Sequence, residues 1–251
     1  MISVELLFSG PAQPGATLGP LTGHAETAAS GGGFLATLAL IEGLVDKQTP
    51  VDRLAVGDFE RLVAALHREV WGAEVECQAD CSACDRGFGF TVPLETVTPA
   101  APADPDTARQ LATTGEVPGP GTSTLSAPRI ADLLRCDRAA LIAACCHGGT
   151  RHADDEAIER ALAEAFPTGA DDIAAECPEC GAAQVLAFDL CLHVAELLEI
   201  ERPYLLREVH ELADRYHWSL GEILSLRRTD RRALVRLVLD ARAHERARWL
   251  K

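Results

Sequence analysis

Two short cysteine motifs lie far apart in this chain, Cys81-Ser82-Ala83-Cys84 and Cys177-Pro178-Glu179-Cys180. Thiolates separated by two residues converge on one metal ion from a tight turn whose backbone N–H groups hydrogen-bond the sulfurs. Two such knuckles supply the four ligands of a closed tetrahedral site, so a fold that uses them must bring both turns together. In the second motif Pro178 stiffens the turn, and Gly181 is suited to the left-handed conformation a knuckle needs. Asp85 holds the matching place in the first and takes that conformation less easily. An alternating apolar stretch follows each pair, Phe88, Phe90, Thr91, Val92, Leu94 and then Val185, Leu186, Ala187, Phe188, which reads as the outgoing arm of a hairpin.

The spacing therefore predicts that Cys81, Cys84, Cys177 and Cys180 bind one Zn²⁺. A shell of four thiolates has no open position, so the ion would be structural and would contribute on the order of 10 kcal/mol to folding. The plainer alternative is that some of these cysteines are ordinary small core residues. A competing pattern, Cys77-x₃-Cys81-x₂-Cys84, has the spacing by which radical S-adenosylmethionine enzymes hold a [4Fe–4S] cluster. Ala83 stands where those enzymes usually carry an aromatic residue, and the strand–helix alternation of a barrel is missing downstream.

At 251 residues and 47% hydrophobic content the chain can bury a core as one large domain or two small ones. It contains no apolar run long enough for a membrane span, and Met1 to Phe8 lacks the basic flank of a secretory signal. Cytoplasmic residence without membrane insertion is expected, and nine cysteines at metal-like spacings suit a reducing compartment. The net charge of −15 is unevenly spread. From Glu201 to Lys251 twelve Arg and Lys face eight Asp and Glu, a local +4 that leaves −19 for the first 200 residues. Such a balance argues against nucleic-acid binding, which needs a continuous basic face.

The chain reads as α+β and mainly helical, with a small zinc-ribbon-like β element built from the two knuckles and a C-terminal helical module. Residues 1–33 give one strand and then an extended Gly, Pro and Ala-rich segment that needs a partner to become ordered. Residues 34–199 read as a mixed body. Helices are predicted over 35–42 and 57–71, the latter with Phe59, Leu62, Val63, Leu66 and Val70 at helical spacing and Asp58 near its start. Residues 95–128 carry Pro99, Pro102, Pro105, Pro118, Pro120 and Pro128 and read as an extended connection with no core of its own. Further helices are expected over 129–134, 138–146 and 155–165. Cys136, Cys145, Cys146 and Cys191 read as packing residues, and the run Cys145-Cys146-His147, even with His152 nearby, is not taken as a second metal site.

Residues 200–251 form the helical module, three short capped helices in series. Leu205, Leu206, Val209, Leu212, Ala213 and Tyr216 make a helical stripe, and Ser219-Leu220-Gly221-Glu222 is a capping box. A third helix follows Thr229, with Leu234, Val235, Leu237, Val238 and Ala241 apolar and Arg231, Arg232, Arg236, Arg242 and Arg246 outside. His217 and Trp218 fall at a corner, where an aromatic side chain wedges the packing. No Ser-His-Asp constellation, phosphate loop or paired-carboxylate motif stands out.

The order Leu21-Thr22-Gly23, Val56-Gly57-Asp58, Cys81-x₂-Cys84, Cys177-Pro178-x-Cys180-Gly181 and Phe188-Asp189, closing on Leu206-Arg207-Glu208-Val209-His210-x-Leu212-Ala213-x-x-Tyr216-His217-Trp218-Ser219, Glu222-Ile223-Leu224-x-Leu226 and Arg231-Arg232, resembles a family of baseplate proteins. That family belongs to contractile phage tails, T-even-like phages among them, and to phage-tail-like injection particles of bacteria. The resemblance runs from about Leu21 to Leu239, is most specific from Leu206 to Arg232, and departs at Asp85, at His24 and in the extra Pro-rich length. It implies a non-enzymatic role, as a structural component or assembly factor of the baseplate whose partners are other baseplate, spike, tube or sheath proteins, which agrees with the missing catalytic motifs. Arg227, Arg228, Arg231 and Arg232 are the expected partner contacts. A transient assembly chaperone missing from the finished particle, and a zinc-ribbon binder of nucleic acid, are the alternatives.

Overall fold

A computed structural model describes residues 1–29, 31–148 and 155–249. In chain order it contains β1 (Ile2–Glu5), β2 (Gly15–Leu18), α1 (Gly23–Ala28), α2 (Gly33–Leu44), α3 (Val56–Val70), β3 (Glu74–Asp80) and β4 (Gly87–Pro93). There follow α4 (Pro105–Thr114), β5 (Glu116–Pro118), β6 (Ser123–Ser126), α5 (Ile130–Arg135), α6 (Arg138–Cys145), β7 (Cys146–Gly148) and α7 (Asp155–Ala165). Last come β8 (Asp172–Glu176), β9 (Ala183–Ala187), α8 (Leu190–Tyr216), α9 (Leu220–Ser225) and α10 (Arg228–Trp249). Small antiparallel sheets among helices make the fold α+β, as expected. The chain divides into two compact units, a body of Ile2–Leu18 with Val45–Cys191 and a helical unit that joins Gly19–Leu44 to Leu192–Lys251.

The body is organised around α3, whose Phe59, Leu62, Val63 and Leu66 are buried as their spacing predicts. Asp58 does more than favour the helix dipole. Its buried carboxylate accepts hydrogen bonds from the Leu7, Phe8 and Ser9 backbone N–H groups at 2.6, 2.9 and 2.7 Å and from the Ser9 hydroxyl at 2.7 Å. One side chain thus satisfies the turn after β1 and delivers Phe8 to the core, where it meets Phe166 edge-on at 6.4 Å.

The reading of residues 95–128 as a connection without a core is corrected. Asp104 caps α4 by accepting from Thr107 N–H at 2.9 Å, Pro105 occupies the first helical turn where its missing N–H costs nothing, and Gly115 ends the helix. β5, β6 and β7 then form a three-stranded sheet. Leu111, Val117, Leu125 and Ala127 from this stretch join Phe8, Ile142, Ile158 and Phe166 in one buried cluster. The prolines here start and edge elements; Pro128 even accepts from Val56 N–H at 2.9 Å at the entry to α3.

In the helical unit the C-terminal stripes meet as expected. Leu212, Ile223 and Val238 are fully buried with Val209, Ala213, Leu226, Leu234 and Val235 around them. The capping box is formed, Glu222 N–H to Ser219 Oγ at 3.3 Å and Ser219 N–H to Glu222 Oε2 at 2.8 Å. Three short helices are not what forms: α8 has 27 residues, runs from Leu190 and passes through Pro203, and α10 has 22. Leu237 is 61% exposed and not part of the core. Trp218 does not wedge the corner; it stacks on Tyr216 at the surface, ring centres 4.9 Å apart, beside His217 in the left-handed region.

The N-terminal stretch is not the irregular segment its composition predicts, because it is ordered by the chain's own far end. Thr22 caps α1 and pairs with Arg227 in a short β-bridge, and Arg228 N–H donates to Leu21 C=O at 2.8 Å. Gly23 is required by close approach, since a Cβ there would lie 2.7 Å from Leu224 and 3.0 Å from Arg231.

Candidate metal centre

Each cysteine pair caps a hairpin. β3 and β4 pair from Glu74↔Pro93 to Asp80↔Gly87, and β8 and β9 from Asp172↔Ala187 to Glu176↔Ala183. The turns between them repeat one backbone pattern. In the first, Cys81 N–H donates to Arg86 C=O and Asp85 N–H to Cys81 C=O, both at 2.9 Å; in the second, Cys177 N–H donates to Ala182 C=O at 3.0 Å and Gly181 N–H to Cys177 C=O at 2.9 Å. Asp85 (φ +56°) and Gly181 (φ +72°) hold the same left-handed position, so the aspartate adopts what the glycine takes freely.

The two turns face each other. The four sulfurs of Cys81, Cys84, Cys177 and Cys180 all lie within 4.8 Å of one another, with Cys81–Cys180 at 3.6 Å and Cys84–Cys177 at 3.9 Å. Cys81 and Cys177 are buried, Cys84 half-buried and Cys180 exposed, so the cluster sits under one edge of the surface. Ala79, Phe88, Phe90, Ala175 and Leu186 pack beside it and exclude water from its inner side. The donor set fits a metal ion. A tetrahedron with metal–sulfur bonds of about 2.3 Å has edges of about 3.8 Å, which the two sulfur pairs bracket.

The backbone prepares the sulfurs for that role. Ala83 N–H points at Cys81 Sγ at 3.4 Å, and this bond heads the interactions that bring the Cys81 thiol down to about 7. At Cys84 the Arg86 N–H pulls the same way, but burial and the three neighbouring thiols outweigh it and push that group up to about 12. Of this pair, one thiol is biased toward the thiolate and its neighbour away from it.

Two contacts between the knuckles are invisible in the cysteine spacing. Arg86 and Glu179 approach to 3.8 Å with both side chains more than half exposed, a weak pair. Gln184, 6% exposed, accepts at Oε1 from Ser82 N–H at 3.1 Å and from Ser82 Oγ at 2.9 Å, across 102 residues of chain. A buried amide on a strand was the available signal, and an alternating pattern hides it.

Cys77 stands apart from the cluster on β3, opposite Phe90, so the Cys77, Cys81, Cys84 triad of the competing pattern is not assembled. Among the described residues no second metal-compatible cluster forms. Cys145 and Cys191 are buried, as expected of packing residues, and burial pushes the Cys145 thiol up to about 11. Cys136 and Cys146 are half-buried, and His147 Nε2 lies 2.8 Å from Ser126 Oγ. His152 lies outside the described residues.

The four arginines divide. Arg227 is exposed, but Arg228 and Arg231 are 6% and 1% exposed, which corrects the outward placement of Arg231 and of Arg228 as a surface contact. Arg231 bonds Glu208 at 2.6 Å and also Glu26; Arg228 bonds Glu26 at 3.0 Å and also Glu201. Arg232, partly exposed, reaches Glu208 at 3.2 Å and Glu201 at 3.5 Å. Arg242 is held by Glu211 and by Asp214. Much of the local positive charge is therefore spent inside the unit.

No helix among the described residues is long and apolar enough to cross a membrane. No protein-family model, curated protein or solved structure matches this chain.

Proposed function

We propose that the protein is a non-catalytic structural component of the baseplate of a contractile phage-tail-like particle, clamped by a structural zinc. One observation carries the zinc: four sulfurs closed around a single point at separations of 3.6 and 3.9 Å. An all-thiolate tetrahedral donor set suits zinc, and a shell with no vacant position supplies folding free energy rather than a Lewis acid. What it holds is the junction of two hairpins far apart in sequence, where loop closure is entropically costly.

The baseplate reading rests on the resemblance described above. Its support in the fold is that two of the resembling stretches, Leu21–Gly23 and Leu206–Arg232, pack on each other through the Thr22–Arg227 bridge and the Arg228 N–H to Leu21 C=O bond, with Glu26 just beyond the first stretch pairing Arg228 and Arg231 of the second. Side chains that answer one another in this way give separate motifs a common reason to occur together. The partners are neighbouring baseplate, spike, tube or sheath subunits, in a cytoplasmic assembly. Arg227 and the exposed edge of Arg232 remain as contacts, whereas Arg228 and Arg231 build the surface that presents them.

Mass spectrometry and metal analysis of purified particles test this. The protein should be present in finished particles with about one zinc per copy, and charge reversal at Arg227 should impair assembly while leaving the isolated protein folded. Its absence from finished particles would replace the component by a transient assembly factor. A protein that is fully folded and free of metal would overturn the clamp.

A further inference from the structure

The two knuckle hairpins share one backbone pattern yet differ at one inward-facing position. Seven residues after the first cysteine of each stands Phe88 in β4 and Gln184 in β9, 7% and 6% exposed. Phe88 is what a buried strand position calls for. Burying a Gln amide is unfavourable unless its polar atoms are bonded, and Gln184 meets that condition with a residue of the opposite knuckle.

That residue is Ser82, which lies between the ligands Cys81 and Cys84. Gln184 Oε1 accepts both its N–H at 3.1 Å and its hydroxyl at 2.9 Å, while Nε2 donates to Ala183 C=O at 3.1 Å within its own hairpin. The amide therefore spans from the backbone of one knuckle to the backbone of the other without involving a sulfur. The Arg86–Glu179 pair also crosses, but at 3.8 Å between exposed groups.

We infer that Gln184 is a positioning residue for the metal centre: it sets the first knuckle in register against the second, so that the four cysteines meet the ion already assembled. The inference rests on the zinc reading. Without the amide, the ion would have to draw the two hairpins together and order Ser82 as it bound, and that cost would appear as lost affinity. Polar partners of this kind, one bond removed from the ligands, typically change metal affinity 10- to 100-fold.

Zinc affinity of the full chain, measured by competition with a chromophoric chelator, tests it through four proteins. Gln184→Met keeps length and burial but removes the acceptor, and should bind zinc about 10- to 100-fold more weakly. Gln184→Glu keeps an oxygen for both Ser82 donors and should recover most of that loss. Ser82→Ala, on an exposed side chain that the fold tolerates, removes one of the two bonds and should weaken binding a few-fold. If Gln184→Met and Ser82→Ala bind zinc as tightly as the unaltered chain, or if Gln184→Glu is as weak as Gln184→Met, the positioning role is overturned while the zinc centre stands. If the unaltered chain takes up no zinc, the metal reading itself fails, and this inference with it.

Discussion

In the body, segments 93 to 99 residues apart meet through sulfur; in the helical unit, segments 202 and 205 residues apart meet through buried ion pairs. Both junctions gather polar groups that cost free energy to bury alone. They differ in what neutralises the charge. Glu26 and Glu208 find their counter-ions in Arg228, Arg231 and Arg232, so the network closes within the chain. The four thiols form a cluster of acids alone among the described residues, and on the zinc reading proposed above their counter-charge is a cation from outside. A junction that carries both signs of charge needs nothing added, whereas one built from acids alone makes folding depend on metal supply.

The largest effect should come from opening the sulfur junction. Cys177→Ser should lose the metal and destabilise the body by more than about 4 kcal/mol, read as a fall in urea midpoint and a zinc content near zero. An unaltered midpoint would place the two junctions on an equal, self-sufficient footing and break the contrast.

Next is the ion network. Arg231→Ala leaves Glu26 and Glu208 buried with less charge compensation and should cost about 3–5 kcal/mol. The double variant Glu26→Gln with Arg231→Met should recover part of it, because the pair is removed together. Equal losses in the single and double variants, in a urea series followed by helical circular dichroism, would show that packing rather than charge governs this unit.

Glu60 is an intermediate case, a carboxylate in the body that forms no ion pair among the described residues. Its Oε2 accepts from Gly169 N–H at 2.7 Å, yet burial, joined by the negative charges of Asp189 and Asp171, pushes it up to about 7. Between its ordinary value and about 7 the folded protein holds a proton that the unfolded chain has released. Stability therefore falls as pH rises through that window and levels off above it, by about 3 kcal/mol in all. Gln at this position keeps an acceptor for Gly169 and never ionises. Glu60→Gln should be the more stable protein at pH 8, with the difference vanishing toward pH 5; parallel pH profiles for the two would refute the assignment.

The smallest effects distinguish the two knuckles. Gly181→Ala, at φ +72°, should cost about 1 kcal/mol, whereas Asp85→Gly, at φ +56°, should be neutral or stabilising by a few tenths. Arg86→Ala, which breaks the exposed pair with Glu179, should change stability by less than about 0.5 kcal/mol.

Much of the centre was legible before any coordinates, and the reason lies in local geometry. The two-residue spacing within Cys81–Cys84 and Cys177–Cys180, the Gly at 181 and the Asp at 85 all act within one turn, so a short window of sequence contains the whole cause. The capping box at Ser219 and Glu222 and the α3 stripe were legible for the same reason. Gln184 was not, because its partner lies 102 residues away and an amide in an alternating stretch looks like any outward-facing strand residue. The Pro-rich stretch misled because four core residues, Leu111, Val117, Leu125 and Ala127, are too widely spaced to form a stripe in any one element.

Composition and spacing were enough for an α+β chain with four cysteines suited to a single ion and helices with caps and apolar faces, since these follow from interactions a few residues long. Which face of an arginine-rich helix is inside could not follow from them. Arg231 resembles a solvated residue until Glu26 and Glu208, one near each end of the chain, arrive to make its burial favourable. The N-terminal stretch likewise gains order only when Leu21 and Thr22 meet Arg227 and Arg228. A charge or an unpaired backbone group is buried or exposed according to its partner, and a partner some two hundred residues away is found only by folding.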